Sequence, residues 1–183
     1  MTSKLTLVVI TCVLLLSFAA PAQKRKSAAK PTQKAPPTTA VVNEINTDSL
    51  KTLLSESKQR PLLVNFWATW CDPCRDEFPD LVKIDAEYRP KALDFVTVSL
   101  DDVDKIKTEV PRFLDEMKAT MPSYLLNVSD PEPAINAVDP RWQGDLPATF
   151  LYNVKGEVAY RHFGRVDPTE LRAAIERLVS SKQ

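Results

Sequence analysis

The chain has few of the residues that most metal and nucleotide sites require. Its 183 residues include three glycines, three cysteines and one histidine, His162. A structural zinc site needs four ligands, usually two pairs of Cys or His. One of the cysteines, Cys12, lies inside an N-terminal apolar segment, so the remaining residues are too few for such a site. Without a Gly-rich loop to hold phosphates, a nucleotide is equally unexpected. The sequence therefore predicts neither a metal nor another cofactor.

Acidic residues are absent from the first 40 positions, which hold six of the 24 Lys and Arg residues. The rest of the chain therefore carries 18 basic against 24 acidic residues, a net charge of −6. A net-acidic domain offers no electrostatic attraction for nucleic acid. We expect no nucleic-acid partner.

The N-terminus is typical of an exported protein. An apolar run at residues 5–20 follows Lys4 and precedes a small-x-small cleavage site at residues 20–22. The run is shorter than the roughly 20 residues of a spanning helix, yet close to that length. Residues 1–22 are therefore predicted to be a signal peptide or an uncleaved N-terminal anchor. Either way, the expected location is periplasmic or otherwise extracytoplasmic.

Residues 23–40 have the composition of a disordered linker. They contain five basic residues and three prolines, and they have no acidic or aromatic residue. Such a segment cannot bury a core and is expected to stay extended and solvated. It is either a passive spacer or a basic contact with anionic lipid, and it leaves residues 41–183 as the globular domain.

Hydrophobic patterning in that domain predicts an α/β fold. Strands are expected over residues 62–67, 93–100, 123–127, 148–153 and 157–163. Helices are expected over residues 48–57, 73–88, 103–117 and 131–138, with a last helix capped by Asp167. Asp101 and Asp102 are expected to cap the helix over residues 103–117, and Pro111 is expected to interrupt it. This order predicts a three-layer α/β/α sandwich whose central sheet is mixed, with parallel crossovers and a terminal hairpin.

The motif Trp70-Cys71-Asp72-Pro73-Cys74 joins a predicted strand to a predicted helix. Two thiols three residues apart can form a disulfide in such a turn, and the first would lie at the helix N-terminus, where a thiolate is stabilised. A purely structural disulfide is the alternative, but so short a loop would constrain the unfolded chain little. The sequence therefore favours a redox-active pair. Peroxidatic chemistry is disfavoured, because Ala68 stands where a Thr or Ser would precede the first cysteine.

The chemistry of a dithiol assigns a different role to each cysteine. Cys71, nearer the helix start, is expected to attack a substrate disulfide, and Cys74 to resolve the mixed disulfide. Asp72 and Pro73, between them, are candidates for tuning the redox potential, although Asp72 is equally well explained as a solvated turn residue. Trp70 is expected to be a partly exposed substrate contact.

Two blocks of sequence resemble a known family. They are VNFWATWCDPCRDEFPDL, at residues 64–81, and LPATFLYNVKGEVAYRHFGRVD, at residues 146–167. They resemble the TlpA/ResA-like branch of the thioredoxin superfamily, whose members are exported or membrane-tethered thiol-disulfide oxidoreductases. The resemblance implies a thioredoxin-like fold with a segment inserted between its two halves, within about residues 103–144. It also implies a membrane electron donor as a partner.

The resemblance also implies roles for three further residues. Plain thioredoxins place a buried Asp on the strand before the motif, but this chain has Asn65, which cannot take a proton. The family's glutamate after the second cysteine matches Glu77, the candidate acid/base for Cys74, with an ordinary surface charge as the alternative. Pro147 matches the family's cis-proline. The residue before it, Leu146, would then pair through its backbone with an extended substrate.

The expected function is thus the reduction of protein disulfides by a monomeric extracytoplasmic enzyme. A disulfide-forming oxidase of the same fold and a redox-inactive interaction module are the alternatives. Trp142 and the turn at residues 139–141 could shape partner choice or simply pack. His162 is expected to be an ordinary strand histidine, since a single histidine cannot build a metal site.

Overall fold

Six strands form one mixed sheet within residues 40–55, 59–91 and 93–180, the part of the chain that the computed structural model describes. In chain order they are β1 (Val42–Ile45), β2 (Leu62–Trp67), β3 (Asp94–Ser99), β4 (Ser123–Leu126), β5 (Ala148–Tyr152) and β6 (Val158–Phe163). Across the sheet the order is β1-β4-β3-β2-β5-β6. The first four strands in that order run parallel, and β5 is antiparallel to both β2 and β6. The predicted mixed sheet is confirmed.

Helices cover both faces of this sheet. Those in the described ranges are α1 (Thr47–Ser55), α2 (Asp72–Tyr88), α3 (Glu109–Met117), α4 (Glu132–Val138) and α5 (Pro168–Ser180). Buried residues of α2, α3 and α5 share one apolar cluster. Those of α1 and α4 share the other. The two clusters lie on opposite sides of the strands, so the predicted three-layer sandwich is confirmed.

Strand β2 lies inside the sheet and carries the motif at its end. All six of its residues are buried, as the continuous apolar run predicts. Leu63 and Trp67 belong to the cluster beneath α2, whereas Val64 and Phe66 belong to the opposite one. Because successive strand residues alternate between faces, the buried Asn65 points to the α2 side. A polar side chain is thereby placed beneath α2.

Strand β1 was not predicted from the sequence. No strand is expected before residue 48, yet β1 pairs in parallel with β4, from Val42↔Ser123 to Ile45↔Leu126. Only Ile45 of its four residues is fully buried, so the segment has little apolar signal. Its structure comes from backbone pairing with β4, which a local pattern cannot reveal.

The expected helix over residues 103–117 was wrong in detail. The segment forms a 3₁₀ turn (Val103–Lys105) and then α3, so the interruption precedes Pro111. Pro111 is the third residue of α3, where a backbone N–H has no intrahelical acceptor and a proline is tolerated. Asp102 makes no capping hydrogen bond with its side chain. Asp101 is not a cap either, because its carboxylate bonds to Thr69 instead.

The predicted insertion, residues 103–144, contributes α3, β4 and α4, and β4 lies between β1 and β3 in the sheet. Trp142, near its end, is only 2% exposed and packs on Phe66 with the ring centroids 4.6 Å apart. Asp139 is also buried and forms ion pairs with Arg141 and Arg161. Packing therefore accounts for Trp142 and for this turn.

The predicted signal peptide or anchor (1–22) and all but the last residue of the predicted linker (23–40) lie outside the described residues. Their boundaries remain predictions. None of the helices in the described ranges is both long and apolar enough to span a membrane.

Candidate active site

The turn between β2 and α2 positions both cysteines. The Cys71 N–H donates to the Ala68 carbonyl oxygen at 3.2 Å, which closes the turn. Cys71 is then the N-cap of α2, and its Sγ accepts the Cys74 N–H at 3.2 Å. The sulfurs of Cys71 and Cys74 form a disulfide, and the two Cα atoms are 5.3 Å apart. The sulfur of Cys71 therefore sits where the backbone N–H groups of α2 have no other acceptor.

Burial distinguishes the two cysteines. Cys74 is fully buried, whereas Cys71 keeps 5% of its surface exposed. Asp72 and Pro73, between them, are exposed and occupy the first two positions of α2. A proline costs no hydrogen bond there, because the first helical N–H groups are unpaired anyway. A substrate can therefore approach Cys71 more readily than Cys74, while the tuning role of Asp72 and Pro73 stays a prediction.

The two tryptophans nearest the cysteines differ in burial, and Trp70 is exposed as the sequence predicts. Trp67 is buried and stacks on Phe113 at 4.5 Å between ring centroids. Trp70 is 63% exposed. It borders two grooves, one of about 420 Å³ shared with Leu146 and Val103, the other of about 320 Å³ shared with Arg75 and Phe113. Its ring is therefore available to a partner bound in either groove.

The Leu146–Pro147 peptide bond is cis, as the resemblance implies. Pro147 directly precedes β5, whose first residue, Ala148, is paired with Phe66 of β2. This register places the proline at the end of β2 from which the cysteine turn departs. The Pro147 carbonyl oxygen accepts the Gly164 N–H at 2.8 Å. The substrate-binding roles of Leu146 and Pro147 stay predictions.

Glu77 is a buried carboxyl group beneath this turn. It is 1% exposed, so the alternative of an ordinary surface charge was wrong. Its Oε1 accepts from Asn65 Nδ2 at 2.8 Å, and its Oε2 accepts from the Val166 N–H at 2.9 Å. Asn65 Nδ2 also donates to Thr149 Oγ1 at 3.0 Å. The carboxyl group lies one helical turn after Cys74 and connects α2 with β2, β5 and the segment before α5.

Burial raises the pKa of Glu77 from its ordinary value of 4.5 to about 7. Removing the carboxylate from water is the largest effect, because it penalises the charged form. The hydrogen bonds from Val166 and Asn65 and the charge of Arg165 act in the opposite direction and lower the pKa. With a pKa near neutrality, Glu77 can both take up and release a proton at physiological pH.

Sequence reasoning missed another buried carboxylate beside the cysteine turn, that of Asp101. It is 4% exposed and accepts hydrogen bonds from Thr69 and Ser99. A carboxylate directly after a buried strand is the signal that could have identified it, since the ends of parallel strands meet at one edge of a sheet. His162, by contrast, is partly exposed, with Nε2 at 3.0 Å from the Arg165 carbonyl oxygen.

Among the described residues, no three or more His, Cys, Asp or Glu side chains are grouped so that they could hold a metal ion. The candidate site itself lies at the junction of β2 and α2. It combines a dithiol at a helix N-terminus, a neighbouring cis-proline and a buried carboxyl group, on a thioredoxin-like sheet. These features are characteristic of the thioredoxin class of dithiol sites.

Comparison with known proteins agrees with this class. Residues 31–161 match the model of the AhpC/TSA family, and the chain belongs to that family. It is 34% identical over 106 residues to the thiol-disulfide oxidoreductase ResA of Oceanobacillus iheyensis. That alignment covers 57% of this chain and 50% of ResA. The chain is 31% identical over 134 residues to the thioredoxin-like protein YneN of Bacillus subtilis, covering 70% and 74% of the two chains. The resemblance to ResA-like proteins is thus confirmed, although the chain spans only half the length of the first of these relatives.

A solved structure supports the same assignment. A putative thiol:disulfide interchange protein DsbE from Chlorobium tepidum is similar to this chain with a TM-score of 0.54 and 26% identity. The similarity covers 67% of this chain and 82% of that one. The thioredoxin-like fold is therefore confirmed.

The raised pKa of Glu77 predicts how the stability of the oxidised protein depends on pH. Between pH 4.5 and 7 the folded protein keeps a proton on Glu77 that the unfolded chain has lost. The free energy of unfolding should therefore fall as pH rises through this range, by about 3 kcal/mol from this group alone. Urea denaturation of the wild type and of Glu77→Gln at pH 5 and pH 7.5 measures the effect.

The variant is the matched control, because all other titrating groups are common to both proteins. The wild type should lose more stability than Glu77→Gln between the two pH values. Equal losses in the two proteins would show that Glu77 titrates with an ordinary pKa.

Proposed function

We propose that this chain is an exported thiol-disulfide oxidoreductase that reduces protein disulfides. The observation that carries the proposal is the asymmetry of the cysteine pair. Cys71 caps α2 and keeps 5% of its surface exposed, whereas Cys74 is fully buried behind it. This arrangement suits one cysteine for attack on a substrate and the other for resolution.

In the first step, the Cys71 thiolate of the reduced protein attacks one sulfur of a substrate disulfide. A mixed disulfide forms, and the other substrate sulfur leaves as a thiolate. The N-terminus of α2 favours the attacking thiolate, because the Cys74 N–H points at the Cys71 sulfur and the helix dipole stabilises negative charge.

In the second step, Cys74 loses its proton and attacks Cys71 Sγ. The second substrate sulfur leaves as a thiolate and the Cys71–Cys74 disulfide forms, so two electrons pass from the protein to the substrate. Glu77 is our candidate for the group that takes the proton. Its pKa of about 7 matches this task near neutral pH, and it lies one turn from Cys74 on α2. Electrons would then be restored by a membrane electron donor, by analogy with the family.

The substrate would bind along the edge formed by Trp70, Leu146 and Pro147. Leu146 lines this groove just before β5, so its backbone is our candidate partner for an extended polypeptide, as the family resemblance implies. Trp70 borders the same groove as Leu146 and would cover the substrate on the other side.

Export is part of the proposal and rests on the sequence. The apolar run at residues 5–20 and the basic, proline-rich residues 23–40 suit a leader or an anchor followed by a spacer. A disulfide-forming oxidase would use the same site, and the direction of the reaction is set by the redox potential.

Activity and potential together test the function. We expect the protein to accelerate the reduction of insulin by dithiothreitol, and its dithiol to have a potential near that of thioredoxin, about −270 mV. A potential near about −120 mV would instead favour the oxidase. If the wild type accelerates the reaction no more than the Cys71→Ala control, the reductase and the oxidase hypotheses are both wrong. The interaction module is then the remaining hypothesis.

The asymmetry of the cysteines predicts which variant traps a partner. Cys74→Ala should accumulate a mixed disulfide with a protein substrate, because the resolving thiol is missing. Cys71→Ala should not, because Cys74 is buried. Non-reducing electrophoresis of the two variants after incubation with native, disulfide-bonded insulin measures this difference. Trapping by Cys71→Ala alone would reverse the two roles.

The proton transfer predicts a kinetic effect of Glu77→Gln. The rate of resolution should fall on the order of 10²-fold, as for other positioned general bases, and its pH dependence near pH 7 should disappear. Stopped-flow measurement of product release at pH 6 to 8 measures this step, with Asp80→Asn, a carboxylate of the same helix that pairs with Lys83, as the control. An unchanged pH–rate profile in Glu77→Gln would mean that another group accepts the proton.

A further inference from the structure

The carboxylate of Asp101 is buried next to the turn that carries Cys71. It is only 4% exposed. Its Oδ2 accepts the Thr69 N–H at 2.9 Å and the Ser99 hydroxyl at 2.7 Å, and its Oδ1 accepts the Thr69 hydroxyl at 2.5 Å. Two of these three bonds therefore hold a single residue, two positions before Cys71.

Parallel strand pairing brings Asp101 to this position. Trp67, the last residue of β2, is in register with Ser99, the last residue of β3. The Leu100 N–H then donates to the Trp67 carbonyl oxygen at 2.8 Å. Asp101 is the next residue after Leu100. Its side chain therefore contacts the turn of residues 68–71, which directly follows β2.

Burying a carboxylate costs free energy unless donors surround it. Within the described part of the chain, Asp101 forms no ion pair, and its carboxylate oxygens accept hydrogen bonds from Thr69 and Ser99. An apolar side chain would fill the same space without this cost. The charge therefore has a specific consequence here, which is to fix both the backbone N–H and the side chain of Thr69.

The residue after Thr69 is the exposed Trp70. Its ring borders the groove of about 420 Å³ that Asp101 itself helps to line. It also borders the groove of about 320 Å³ on its other side, to which Thr69 contributes. Because ordering a mobile side chain on binding costs free energy, a turn that holds this 63% exposed ring in one place favours its contact with a partner.

We propose that Asp101 is a positioning residue for protein substrates: it holds Thr69, and thereby Trp70, so that a polypeptide disulfide is guided onto Cys71. The inference rests on the proposed function. It assigns to Asp101 an effect on large substrates that a small disulfide, which reaches Cys71 without covering Trp70, does not share.

The test compares two disulfides. The second-order rate constant of the pre-reduced protein is measured with insulin and with hydroxyethyl disulfide. In Asp101→Asn, the ratio of the insulin rate to the small-disulfide rate should fall about tenfold, the size expected when hydrogen bonds to a charged group are lost. Thr69→Val, which removes only the hydroxyl and keeps the shape, should lower the ratio in the same direction.

A double variant identifies the route of the effect. If Asp101 acts through Trp70, Asp101→Asn should change the ratio far less in a Trp70→Ala background than in the wild type. Ser123→Ala is the control for general destabilisation, because it removes a buried hydroxyl that bonds to Thr97 Oγ1 at 2.9 Å, away from the turn. Its ratio should equal that of the wild type.

Three results would contradict the inference. In the first, Asp101→Asn lowers the insulin rate and the small-disulfide rate equally. In the second, Asp101→Asn changes the ratio as much in the Trp70→Ala background as in the wild type. In the third, Ser123→Ala lowers the ratio of the two rates in proportion to its loss of stability. If Asp101→Asn does not fold, the milder Thr69→Val decides by the same ratio. A wild type that reduces neither disulfide would contradict the proposed function instead.

Discussion

Burying the Glu77 carboxyl group is the constraint on which the site depends. A carboxyl group in water would be ionised well below neutral pH, and only removal from water brings its pKa to about 7. Burial is tolerated because Asn65 and the Val166 N–H each donate to one oxygen. These donors come from β2 and from the segment before α5. Glu77 therefore acquires its raised pKa only when α2 is packed against the sheet and against that segment.

Much of the fold and the redox pair could be predicted from local sequence. The apolar run of β2 and the CxxC motif after it carry their own signals, and the structure places both as expected. The conformation of the Leu146–Pro147 bond was available only through the resemblance, because a proline alone is usually trans.

The partners of the buried carboxylates could not be predicted in the same way. Val166 lies 89 positions after Glu77, and Thr69 lies 32 positions before Asp101. Such contacts follow from strand register and from the packing of α5, which no hydrophobic period specifies. Strand β1 escaped prediction for the same reason, since its pairing with β4 spans a similar distance in sequence.

Asn65 suits the proposal that the proton acceptor of the reaction lies on α2. Its Nδ2 donates to both Glu77 and Thr149, whereas its Oδ1 has no hydrogen-bond partner in the described part of the chain. An aspartate at this position would bring a second carboxylate against Glu77 Oε1, and two neighbouring carboxylates cannot both ionise without a large cost. An amide removes that conflict, because it donates where a carboxylate would only accept. Glu77 therefore faces an amide and not a second carboxylate at this position, and Asn65 and the Val166 N–H together hold it.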